Sequence, residues 1–165
     1  MSHYLEQTQF QFFFMLCLLL ASLFPLVATP SPEQTAFEYF ATVLVVGQYP
    51  RAKHLYLTGR SEAQAHVKGL FAPCFPDTGF RAFWAANEAT DAPAVPIAYR
   101  AFSRFKRASA FNRGGTQVRL YRAVTGLGGT YVYLAVYKMH HFTDHYLVKI
   151  SDAGEVEVCK QGEIW

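Results

Sequence analysis

The C-terminal third of the chain is a succession of strand-forming runs cut by turn-forming residues, and that pattern leaves few architectures open. Gln117 to Val124 meets Thr130 to His141 across Thr125-Gly126-Leu127-Gly128-Gly129, and His145 to Ser151 meets Glu155 to Lys160 across Asp152-Ala153-Gly154. Links this short join antiparallel neighbours, so a four-stranded antiparallel meander is expected. In the second run Val132, Leu134 and Val136 occupy one side and Tyr131, Tyr133 and Tyr137 the other, which marks a central strand. In the third, Tyr146, Val148 and Ile150 alternate with His145, Leu147 and Lys149, so one face is expected to be buried and the other mostly wet.

Upstream, helical signals dominate. Ser31-Pro32-Glu33-Gln34 combines an N-cap, a proline at the first helical position and a Gln that reaches back, predicting a helix from about Pro32 to Val46 with Gly47 as its stop. Phe37, Phe40, Ala41 and Leu44 share one face, widened by Tyr39, Val43 and Val46. His54 to Thr58 is β-like before Gly59, and Ser61-Glu62-Ala63-Gln64 repeats the capping pattern for a helix to about Lys68. The four prolines Pro73, Pro76, Pro93 and Pro96 allow only a short helix around Phe80 to Asn87, with Phe80, Phe83 and Trp84 inward. An amphipathic helix is expected from Ile97 to Arg107, with a strand as the alternative. The fold class is therefore α+β, N-terminal helices packed on a C-terminal sheet. By analogy of element order alone, a curved sheet wrapping the helix suggests the cystatin-like and nuclear-transport-factor-like cones.

Before Ser31 the chain has another character. No charged side chain occurs from Gln7 to Pro32, and Phe12 to Phe24 is nearly all apolar. A segment of this kind at the N-terminus inserts into a membrane. Pro25 and the small or capping residues Ala28-Thr29-Pro30-Ser31 suit a signal peptide over residues 1–28 with cleavage after Ala28, although no Lys or Arg precedes the apolar stretch. Residues 10–28 are also long enough to remain as an uncleaved anchor. In both cases residues 29–165 form a single domain outside the cytoplasm, secreted, periplasmic or membrane-tethered. Cys17 does not suit lipid attachment, because Met15 and Leu16 before it are not small. At 52% hydrophobic and 16% charged residues, the chain can bury a sizeable core.

Loss of the leader leaves Cys74 and Cys159, and an even pair in an oxidising compartment is expected to form a disulfide. Two buried thiols are the other outcome.

Three groups of residues invite chemistry. The run from His140 to His145 holds three of the six histidines, and His141, Asp144 and His145 at a hairpin end have the residue types of a zinc site or of an acid/base pair. The tyrosines Tyr131, Tyr133 and Tyr137, with Tyr121 beside them, would line a pocket for a small hydrophobic ligand, or simply pack as core. Between Asp91 and Asp144 there is no acid, while Arg100, Arg104, Lys106, Arg107, Arg113, Arg119, Arg122 and Lys138 all fall there. On a helix Arg100, Arg104 and Arg107 would share a stripe beside Phe102 and Phe105, suited to anionic envelope lipid or polysaccharide. Nucleic acid is not the expected partner outside the cytoplasm.

Enzyme signatures are weak. Ser61, Ser103 and Ser109 lack a nucleophile-elbow sequence, and Gly114-Gly115 and Gly128-Gly129 lack the strand-to-helix context of a phosphate loop. The expectation is a non-enzymatic exported domain that binds something anionic or hydrophobic. The second reading is a small metal-dependent or acid/base enzyme using the His140–His145 cluster, and the third is an accessory protein that binds another protein.

Overall fold

A computed structural model describes residues 29–63, 71, 74, 78–87, 93–112, 114–138 and 142–164. The leader, the segment 64–68 expected to be helical, and His140 and His141 lie outside the described residues.

The first helix begins as its sequence dictates: Ser31 Oγ accepts from Gln34 N at 3.1 Å and Pro32 occupies the first turn. Helix α1 runs without interruption through Pro32–Tyr39, Phe40–Leu44 and Val45–Gln48, and its middle segment is π-helical, with Val45 N–H donating to Phe40 O. The π turn takes up one extra residue and turns everything after it by one position. Phe37, Phe40 and Ala41 are buried as expected, but the next inward residue is Val45 and not Leu44, which is half-buried. Val43 and Val46, expected to widen the apolar face, are 49% and 63% exposed. The same turn carries Tyr49, just past the helix, onto the inner face.

Strands β1 (Leu55–Leu57), β2 (Phe105–Arg107), β3 (Thr116–Leu120), β4 (Val124–Gly126), β5 (Gly129–Lys138), β6 (Phe142–Ser151) and β7 (Val156–Ile164) form one sheet of order β2-β1-β3-β5-β6-β7, with β4 also pairing β5. The expected four-stranded meander is thus part of a seven-stranded mixed sheet, in which β1 runs parallel to both β2 and β3. Strand β5 is central, flanked by β3 and β4 on one side and β6 on the other.

The run Gln117 to Val124 is not one strand. Tyr121 N donates to Tyr133 O and Val124 pairs with Tyr131, so Arg122 and Ala123 together face the single residue Val132. This is a bulge, and its backbone donors bond elsewhere: Arg122 N to Glu62 O at 3.2 Å, Ala123 N to Glu33 Oε1 at 3.0 Å. The following hairpin turns on Leu127 (φ 48°) and Gly128 (φ 73°), both left-handed, as a two-residue type I′ link between twisted strands requires.

Helix α1 covers one face of the sheet, packing on β5 and β6. Phe37 and Phe40 meet Phe105 at ring centroid distances of 4.9 and 6.2 Å, against Leu55, Leu57, Leu120 and Leu134. Full burial of each ring contributes about 1.5–3 kcal/mol. The other face is covered by helix α2 (Thr78–Asn87), whose Phe80 and Phe83 lie 5.6 and 5.7 Å from the Tyr131 ring, and by Phe71 against Tyr133. With both faces covered, the outward side of β6 is not wet as expected: His145 is 5% exposed and Leu147 fully buried.

Two further expectations are corrected. Ile97 to Arg107 is not an amphipathic helix but a 3-10 turn (Tyr99–Ala101) followed by the edge strand β2; Phe105 pairs beside Leu55, and the pull of that hydrophobic rung overrides local helical spacing. Ser61 does not cap a helix, because its Oγ accepts from Val95 N at 2.8 Å.

Candidate functional site

Strand geometry sorts the candidate residues onto opposite faces. Asp144 and His145 are consecutive on β6, paired with Val136 and Ala135, so their side chains leave the sheet on opposite sides. The α1 side receives Asp144. There Tyr49 donates its hydroxyl to Asp144 Oδ2 at 2.5 Å, Lys138 Nζ lies 2.6 Å and Lys160 Nζ 4.0 Å from the same oxygen, and the Tyr146 hydroxyl is 2.7 Å from that of Tyr49. Lys160 Nζ also donates to Gln48 Oε1 at 2.8 Å, which ties β7 to the end of α1.

A phenol has one proton, and Tyr49 gives its own to Asp144, so Tyr146 donates to Tyr49. Burial raises the Asp144 pKa, but the hydrogen bonds from Lys138 and Tyr49 and the charges of Lys138 and Lys160 outweigh it, and the carboxyl is held below its ordinary range. Burial, and then the bond to Asp144, push Tyr49 strongly upward, and burial pushes Tyr146 up to about 12. A carboxylate so fully engaged and so acidic makes a poor general base near neutral pH. It fastens helix to sheet.

The α2 side receives His145. Its Nδ1 lies 2.6 Å from the Tyr133 hydroxyl, and the two rings are parallel within 7° at 5.9 Å. Tyr121 stacks on Tyr133 at a centroid distance of 4.7 Å, and Arg119 sits 5.0 Å over the Tyr137 ring. Tyr131 and Tyr133 are buried, and Tyr137 is half-buried. The tyrosine row is packed against Phe71, Phe80 and Trp84 as core. The trio named for zinc is therefore split, with Asp144 and His145 on separate faces and His141 outside the described residues. Among the described residues, no group of three or more His, Cys, Asp or Glu side chains is placed to hold a metal ion.

The basic residues gather along the β2 edge. Arg100 on the 3-10 turn and Lys106 and Arg107 on β2 are exposed. Arg104 is not: its guanidinium donates to Tyr49 O and to Ala52 O, the latter from Nε at 3.1 Å, and so holds the loop bearing exposed Arg51 and Lys53 beside the strand. Arg100, Arg104 and Arg107 share an edge of the sheet and not a helical stripe.

No protein-family model, curated protein or solved structure matches the chain.

Cys74 and Cys159 are bridged, with Cα atoms 5.9 Å apart. Such a bridge fits an oxidising, non-cytoplasmic location. Among the described residues no helix is long and apolar enough to cross a membrane.

Two residues of this surface escaped the sequence reading. Tyr49 reaches Asp144 only because of the π turn, for which no sequence signal was available. Phe111 is 102% exposed at the tip of the loop after β2, and its setting between Arg107 and Arg113 in a stretch of small polar residues was a usable signal.

Proposed function

We propose that the protein is exported and that residues 29–165 are a single non-enzymatic binding domain for an anionic partner at the cell envelope. Export is supported by the charge-free apolar leader and by the disulfide. Residues 1–28 act as a signal peptide and the mature protein is secreted or periplasmic; retention of residues 10–28 as an anchor would leave the domain on the same side of the membrane. We also take the sheet to curve around α1 in the manner of the cystatin-like and nuclear-transport-factor-like cones, a reading supported by the packing of α1 on β5 and β6.

One observation carries the binding reading: Arg100, Lys106 and Arg107 are each exposed at the β2 edge, Lys106 and Arg107 on opposite faces of the strand, inside a stretch of sequence with no acidic residue from Ala92 to Thr143. A concentration of like charge attracts anionic polymers and surfaces, with a strong dependence on salt. The protein recovered from its native compartment should be retained on immobilised heparin and elute at lower salt after Lys106→Ala with Arg107→Ala. Unchanged elution would remove the proposal. The N-terminal mass of the same material reports whether the chain begins after Ala28.

A further inference from the structure

We propose that the loop between β2 and β3 is a membrane-contacting tip that places Phe111 into the interface of an anionic lipid bilayer; the inference rests on the anionic-partner reading above and names the partner.

The loop is built to hold its shape. Asn112 accepts from Ser109 N through Oδ1 at 2.8 Å and donates through Nδ2 to Arg107 O at 3.0 Å, and Gln117 Nε2 donates to Asn112 O at 2.8 Å. Gly115 N donates to Asn112 O at 3.1 Å, and Gly115 lies so close to the Tyr56 ring that a Cβ there would overlap it. Within this frame the Ala110–Asn112 turn presents Phe111 with all of its surface in water.

A lone exposed apolar side chain is ordinary on a protein surface. A fully exposed ring on a loop fixed by its own side chains is less so, because nearby apolar surface would normally cover part of it. Its setting supplies the complementarity: Lys106 and Arg107 are exposed on the strand that leads into the tip, and Arg113 follows two positions after Phe111 in the sequence. Cations flanking an aromatic ring match the anionic head groups and the apolar layer beneath them, in that order of depth. A polysaccharide would reward the cations and offer the ring at most one sugar face to stack on, whereas a bilayer takes up the whole ring. The bilayer is the partner that uses both.

The test compares Phe111→Ala with the unsubstituted protein, both recovered from the native compartment with the same N-terminus, on vesicles of phosphatidylglycerol with phosphatidylcholine, on phosphatidylcholine alone, and on heparin. Phe111 is fully exposed, so its substitution should leave the denaturation midpoint in place. The expected result is about a tenfold or greater loss of partition into the anionic vesicles, heparin elution unchanged, and a blue-shifted emission from Phe111→Trp only when anionic vesicles are added. Vesicle binding that ignores Phe111→Ala but falls with Lys106→Ala and Arg107→Ala would overturn the tip and leave the anionic-partner reading standing. Heparin retention with no vesicle binding would do the same and turn the partner toward a polysaccharide. Binding to neither would overturn both.

Discussion

The hydroxyl of Tyr49 and the carboxylate of Asp144, 95 positions apart in the chain, meet at 2.5 Å beneath the end of α1. Tyr49 is both donor to Asp144 and acceptor from Tyr146, so one phenol oxygen joins helix, strand and carboxylate. Tyr49→Phe keeps the ring and removes both bonds, leaving a buried tyrosine hydroxyl without its acceptor. The expected cost is about 1–3 kcal/mol, read as a lower urea midpoint with an unchanged slope. A midpoint within error of the parent would show the link to be inert.

Acid should act through the same residue. The folded pKa of Asp144 lies below its unfolded value of about 3.9. The stability it contributes is therefore fully present above the unfolded value and lost as pH falls through the folded one. Measured in urea against pH, the gap between the parent and Asp144→Asn should be widest near neutrality and narrow steadily below about pH 4. A gap independent of pH would mean that Asp144 is no better held in the folded chain than in the unfolded one.

The Cys74–Cys159 bridge joins residues 85 positions apart. In the chain-entropy picture a loop of that size constrains the unfolded chain by about 4.5 kcal/mol. Cys74→Ala with Cys159→Ala should lower the denaturation midpoint accordingly, and the unreduced parent should resist alkylation at both positions until a reductant is added. Ready alkylation of the native, unreduced protein would exclude the bridge.

Leu127 occupies a left-handed position that suits asparagine or glycine. Its side chain is largely exposed, so Leu127→Asn, which gives the Asn-Gly pair preferred in such hairpins, should gain up to about 1 kcal/mol. Thermal denaturation is the simplest readout. A fall in midpoint would show that Leu127 contributes packing that outweighs its backbone strain.

Local signals in the sequence were legible, and signals that depend on partners distant in the chain were not. The N-cap at Ser31, helix α2 around Phe80 and Trp84, the central position of β5 and the Cys74–Cys159 pairing all follow from spacing and residue type over short stretches or from a simple count. The helix expected from Ile97 to Arg107 failed because Phe105 is claimed by β1, a partner 50 positions earlier. The wet face expected for β6 failed because Phe71 and α2 cover it, and local spacing does not say which face of the sheet α2 packs on. For the metal trio a constraint was already available: alternation along a strand separates Asp144 from His145 as surely as it separates His140 from His141. Placing the charges on a helix likewise grouped Arg104, which braces a loop, with Arg107, which faces solvent.

The π turn in α1 sets the regularity of the helix against the fit of the whole. Winding Phe40 to Leu44 as ordinary α-helix, with no residue removed, would give an unbroken α ladder. It would also swing Val45 out of the core and take Tyr49 away from the strand carboxylate it now reaches. A more regular helix would make a worse protein.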